Sequence, residues 1–117
     1  NYFERVIHHE FIHIINDQYK ELFEETEWVK FNNSKFKYAE CSTCTEKLGL
    51  ETYKNTKGFF SEYSKSTASE DMAEVYSHMI FLNQKDINKI KKKDPVLSKK
   101  ILYIENKIKE IDNSFTF

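Results

Sequence analysis

The stretch Val6-Ile7-His8-His9-Glu10-Phe11-Ile12-His13-Ile14-Ile15 holds an H-E-x-x-H sequence, His9-Glu10-Phe11-Ile12-His13, within a helical apolar pattern. Histidines four apart in a helix sit about 40° apart around its axis and one turn apart along it, so both imidazoles can reach one metal ion. Glu10 falls on the flank between them. From there a carboxylate can reach a water in the ion's open position and take its proton, the division of labour that zinc hydrolysis needs. On a helical wheel Phe3, Val6, Ile7, Phe11, Ile14 and Leu22 gather into one apolar arc, with His9 and His13 opposite. The expectation is a helix from Asn1 to about Leu22 that buries this arc and presents its histidines to a cleft.

Working outward, 117 residues suit one domain spanning 1–117, large enough for a single core. Two glycines and one proline favour a mainly helical chain over a many-turned β-sandwich. A net charge of -1, from 18 basic and 19 acidic residues, gives no electrostatic reason to expect nucleic acid or an anionic membrane as partner. No apolar run approaches ~18 residues, so no transmembrane segment is expected. Nor does a charged-then-apolar leader precede the motif helix, so no signal peptide is expected within these residues.

Asp17 to Glu27 is acidic and reads as a solvated face. Trp28 to Tyr63 has poor periodicity and reads as a loop-rich insertion lying between two pieces of one site. It holds at most short strands, at Trp28-Val29-Lys30-Phe31 and Lys35-Phe36-Lys37-Tyr38, which leaves α+β as the alternative fold class. Within it, Cys41 and Cys44 form a C-x-x-C. Two ordinary thiols or a local disulfide, a redox role and a metal role all stay open, since no second C-x-x-C completes a four-ligand zinc site.

A second helix is expected from Glu70 to about Leu82, with Met72, Val75, Tyr76, Met79 and Ile80 on its apolar side. Gln84 to Lys93 suits a short helix. Asp94-Pro95 interrupts it, and Pro95 suits the first turn of a last helix whose core stripe is Val96, Leu97, Ile101, Ile104, Ile108 and Ile111. The seven lysines between Lys85 and Lys100 read as a solvated face.

A catalytic zinc keeps three protein ligands, so the motif helix needs a third from elsewhere. Glu70 is the best candidate. It lies four residues before Glu74, so Glu70 can bond the ion while Glu74 accepts a hydrogen bond from the far nitrogen of a ligand histidine. Asp71 and His78 are the alternatives. Thr67-Ala68-Ser69-Glu70 also fits a capping box, in which Glu70 would instead reach back to a backbone N–H.

The segments Ile7-His8-His9-Glu10-Phe11-Ile12-His13-Ile14, Gly58-Phe59-Phe60-Ser61-Glu62-Tyr63 and Ser69-Glu70-Asp71-Met72-Ala73-Glu74-Val75 resemble the bacterial zinc-binding metallopeptidase family with the pattern H-H-E-F-x-H-I, G-F-V-S-x-Y-A, E-D-F-A-E. Met72 stands where that pattern has phenylalanine, and Ser64 where it has alanine. The resemblance implies a zincin-like helical core and a gluzincin-type peptidase, acting on peptide or protein substrates and commonly exported as a lipoprotein. It makes His9, His13 and Glu70 the zinc ligands and Glu10 the general base. Tyr63 matches a tyrosine that lethal-factor-type peptidases also place seven residues before the glutamate, where its hydroxyl would stabilise an oxyanion. In such peptidases a small sheet precedes the motif helix, so the chain is expected to be part of a longer one. Two other readings stay open: a non-catalytic zinc-containing binding module, and a metal-free helical interaction domain.

Overall fold

The structure, a computed structural model, describes residues 2–18, 23–39 and 57–112. Its helices are α1 (Tyr2–Gln18), α2 (Glu25–Trp28), α3 (Ala68–Phe81), α4 (Gln84–Lys93) and α5 (Pro95–Ile111), with 3₁₀ turns at Val29–Phe31 and Tyr63–Lys65. Among the described residues there is no strand, and the fold is mainly α. The cysteine pair lies outside the described residues.

The helix boundaries follow local chemistry. Thr67 caps α3, its Oγ accepting from the Glu70 N–H at 3.1 Å. Asn83 does the same for α4 through the Asp86 N–H. Asp94 ends α4 and starts α5, its Oδ1 accepting from the Val96 and Leu97 N–H groups, and Pro95 fills the first helical position, where its missing N–H costs nothing. The basic last turn of α4, Lys91 to Lys93, complements the helix dipole.

Trp28 to Phe31, one of the two segments open to a short strand, is helical. Trp28 and Phe31 both meet the Tyr103 ring edge-on, at centroid distances of 5.6 Å. Residues three apart share a side in a helical turn and lie on opposite sides in a strand, so only a turn lets both rings pack there. Lys35 to Tyr38 is irregular.

Helix α3 is the centre of the molecule, with α1 on one side and α5 on another. Met72, Ala73, Val75 and Tyr76 are buried, and α5 meets them with Leu97, Ile101, Ile104 and Ile108. Each large apolar side chain so buried contributes roughly 1.5–3 kcal/mol.

Two expectations are corrected. The apolar arc of α1 is not its buried face: Phe3 is 70% exposed, Ile7 51%, Phe11 46% and Ile14 60%, whereas Arg5, His9 and Ile12 are buried. Helix α1 is held by its polar side, because that side carries the partners of the carboxylates on α3. The second correction is Lys100, which is wholly buried although the lysine run reads as solvated. Its methylenes lie in the α5 stripe and its ammonium reaches the Asp71 carboxylate at 2.7 Å.

Candidate metal centre

The centre lies where α1 crosses α3. His9 and His13 project from one side of α1, and their Nε2 atoms face each other at 3.2 Å. Glu70, in the first turn of α3, places its carboxylate between them. Its Oε2 is 2.8 Å from His9 Nε2 and its Oε1 is 3.2 Å from His13 Nε2. The capping box is therefore only half formed: Thr67 caps the Glu70 N–H, but the Glu70 side chain turns to the histidines.

The outward nitrogens of both rings are held. His9 Nδ1 is 2.8 Å from Glu74 Oε2, and His13 Nδ1 is 3.2 Å from the Ser69 hydroxyl. Glu74 accepts at Oε1 from the Ser61 hydroxyl at 2.6 Å, and the Arg5 guanidinium spans both of its oxygens at 3.2 Å. With a hydrogen on Nδ1 donated to Glu74, His9 keeps its Nε2 lone pair directed at the point shared with His13 and Glu70.

The electrostatics follow from this packing. Burial pulls His9 down, but hydrogen bonds and charge from Glu70 and Glu74 outweigh it and raise the pKa to about 9. Burial pushes Glu70 up, yet its bonds to His13, His9 and the Tyr63 hydroxyl hold it far below the ordinary carboxylate range. Glu74, buried but bonded to His9 and Ser61, is lowered to about 2.

The donor set fits a divalent ion. Among the described residues, His9, His13 and Glu70 offer donor atoms that all lie within 4.8 Å of one another. Two nitrogens bound to one tetrahedral zinc at about 2.05 Å lie roughly 3.3 Å apart. The observed 3.2 Å between the two Nε2 atoms is close to that separation.

Glu10 is exposed on the rim of a cavity of about 130 Å³ lined also by Arg5, Val6, His9, Tyr63 and Glu74. The Tyr63 ring lies 5.9 Å from the His9 ring. A wider cleft of about 600 Å³ opens beside His13 and Ser69 and runs along Asn16, Asp17, Glu24 and Glu25. The centre thus sits between two openings.

The alternative third ligands lie elsewhere. Asp71 is bound up with Lys100, Tyr38 and Trp28. His78 stacks on Phe60 at 4.5 Å and bonds the Glu74 carbonyl oxygen through Nδ1; burial lowers its pKa. Sequence reasoning missed Arg5, Ser61 and Ser69. Arg5 had a usable signal, since it precedes His9 by four residues on the same side of the helix.

Fold and site together define a helical scaffold carrying a His-His-Glu cluster whose donor atoms lie close enough to hold a metal ion, with the buried Glu74 carboxylate beside it. The chain belongs to the family described as "Putative zinc-binding metallo-peptidase", whose sequence profile matches residues 1–114. Searches among curated proteins and among solved structures found no match.

Proposed function

We propose that the chain is the catalytic core of a zinc-dependent peptidase of gluzincin type, with His9, His13 and Glu70 as ligands. The observation that carries the reading is the convergence of His9 Nε2, His13 Nε2 and the Glu70 carboxylate, with Glu74 engaged on the far nitrogen of His9. Held by His9, His13 and Glu70, a zinc ion would polarise a scissile carbonyl and bring the pKa of its water to about 7.

The remaining steps belong to the chain. The Glu10 carboxylate takes a proton from the attacking water, whose oxygen bonds to the carbonyl carbon. Glu10 then passes that proton to the leaving nitrogen as the C–N bond breaks. The Tyr63 hydroxyl, bonded to Glu70 in the resting site, turns to donate to the oxyanion of the tetrahedral intermediate. Glu74 keeps the hydrogen of His9 on Nδ1 throughout. The substrate class is peptide or protein, a reading supported by the family and by the cleft of about 600 Å³ beside His13.

The test is zinc content and peptide-library cleavage of the wild type beside Glu70→Ala, Glu10→Gln and Tyr63→Phe. One zinc per chain is expected in the wild type and loss or much weaker binding in Glu70→Ala. Glu10→Gln should retain zinc and lose hydrolysis. Tyr63→Phe should lower kcat by about 10²-fold with KM little changed, the size of effect seen for one oxyanion donor. A wild type that takes up no zinc overturns the reading, and undiminished turnover in Glu10→Gln removes Glu10 as base.

A further inference from the structure

The Glu70 and Glu74 carboxylates face α1, and another side of α3 carries a buried ion pair. Asp71 follows Glu70 directly, so its side chain leaves the helix about 100° away. It is fully buried, and its Oδ2 alone accepts from Lys100 Nζ at 2.7 Å, the Tyr38 hydroxyl at 2.6 Å and the Trp28 indole N–H at 3.0 Å. Lys100 Nζ also donates to the Gly58 carbonyl at 2.7 Å and lies 3.9 Å from the centre of the Phe59 ring. The Gly58 N–H donates to Asp94 Oδ2 at 2.7 Å, so both backbone polar atoms of Gly58 are fastened to the start of α5.

Three residues after Gly58, Ser61 bonds Glu74; five residues after it, Tyr63 bonds Glu70. One buried ammonium therefore ties together the first turn of α3 and the segment that supports both of its site carboxylates. A buried ion pair is a poor way to gain stability, because desolvating both charges cancels much of their attraction, and apolar residues of equal volume serve as well. What it supplies is direction. The Asp71–Lys100 contact opposes a rotation of α3 that would turn Glu70 and Glu74 away from α1.

We propose that Asp71 and Lys100 are positioning residues of the metal centre, which set the rotation of α3 and the seat of residues 58–66 so that Glu70 meets His9 and His13. The proposal rests on the zinc-site reading above, and its test reads metal binding and not turnover. The double variant Asp71→Asn/Lys100→Met removes both charges together, so neither is left buried without its counter-charge, while the Gly58 carbonyl loses its Lys100 donor. Ile104→Val, another buried change on α5, serves as a control for general loosening. Zinc affinity is measured by chelator competition, the visible spectrum of the Co²⁺-loaded protein reports ligand geometry, and thermal unfolding reports the fold.

The expected result is a folded double variant that binds zinc about 10- to 100-fold more weakly, the range seen when groups orienting a ligand are lost. Its Co²⁺ bands should shift, whereas Ile104→Val keeps wild-type affinity and spectrum. If the double variant does not fold, Tyr38→Phe decides, since it removes one donor to Asp71 and keeps the ring. A several-fold loss of zinc affinity in it supports the proposal, and unchanged affinity overturns it. A folded double variant with wild-type affinity and spectrum likewise reduces the pair to core filling. A wild type that binds neither Zn²⁺ nor Co²⁺ overturns the zinc reading itself, and the positioning role with it.

Discussion

At the scale of the residue, the proposed zinc site makes His9 the group for which metal and proton compete. Its pKa of about 9 means that it carries a proton at neutral pH when no ion is bound, and zinc must displace that proton. Zinc binding at pH 7 should therefore release about one proton per ion, and affinity should rise with pH up to about 9. Calorimetric titration in buffers of different ionisation enthalpy measures the count; a value near zero would sink the assignment. The same shifts act on the metal-free fold. A His9 pKa raised from 6.5 stabilises the folded state fully below pH 6.5, and that contribution is lost as pH rises through about 9. Glu70 and Glu74, both lowered from 4.5, contribute above pH 4.5 and lose their contribution as pH falls through their folded values. The cluster thus stabilises the metal-free chain most between pH 4.5 and 6.5. Thermal unfolding of chelator-treated protein should show Tm falling between pH 6.5 and 9. The facing of His9 and His13 was legible because the motif spacing and the helix repeat together specify where each side chain points. Ser61 was not, because a serine in an irregular segment has no period from which to read its direction.

At the scale of the element, α1 shows how an apolar arc misleads. Phe3, Ile7, Phe11 and Ile14 satisfy the helical pattern of a core face, yet in the described structure they are the exposed side. The opposite side wins because Arg5 and His9 pair with Glu74, and both histidines pair with Glu70, in a partly dry interface where such contacts are strong. Ile12, 1% exposed, is the isoleucine that counts for packing. Ile12→Ala should cost about 2–5 kcal/mol and Ile14→Ser no more than about 0.5 kcal/mol, by chemical denaturation of the domain. Equal losses at the two positions would show that α1 packs by its other side. Helices α4 and α5 were readable nearly to the residue, since Asp94 and Pro95 mark the break between them, whereas α3 starts at Ala68, two residues before the expected Glu70, because Thr67 caps it.

At the scale of the whole molecule, the site depends on contacts between parts far apart in the chain. Gly58 is one of them. Its φ is +85°, and an added Cβ would meet Val96 Cγ1 at 3.1 Å on the start of α5. Gly58→Ala should destabilise the fold by at least ~1 kcal/mol, through backbone strain and displacement of Val96, and should weaken zinc binding by loosening the segment that holds Ser61 and Tyr63. Denaturation midpoints and chelator competition on that variant check both effects. The sequence by itself determined the helical class, the ends of the last two helices, and the pairing of His9 and His13 with a glutamate one turn before a second one. Those features depend on local backbone chemistry and on the 3.6-residue repeat, which any segment carries with it. Only the tertiary structure decided which side of α1 is buried, that Lys100 leaves the lysine run for the interior, and that Arg5, Ser61 and Ser69 complete the centre. Each of these depends on what faces a side chain across the core, and burial strengthens or penalises a charge according to partners that lie up to 69 residues away.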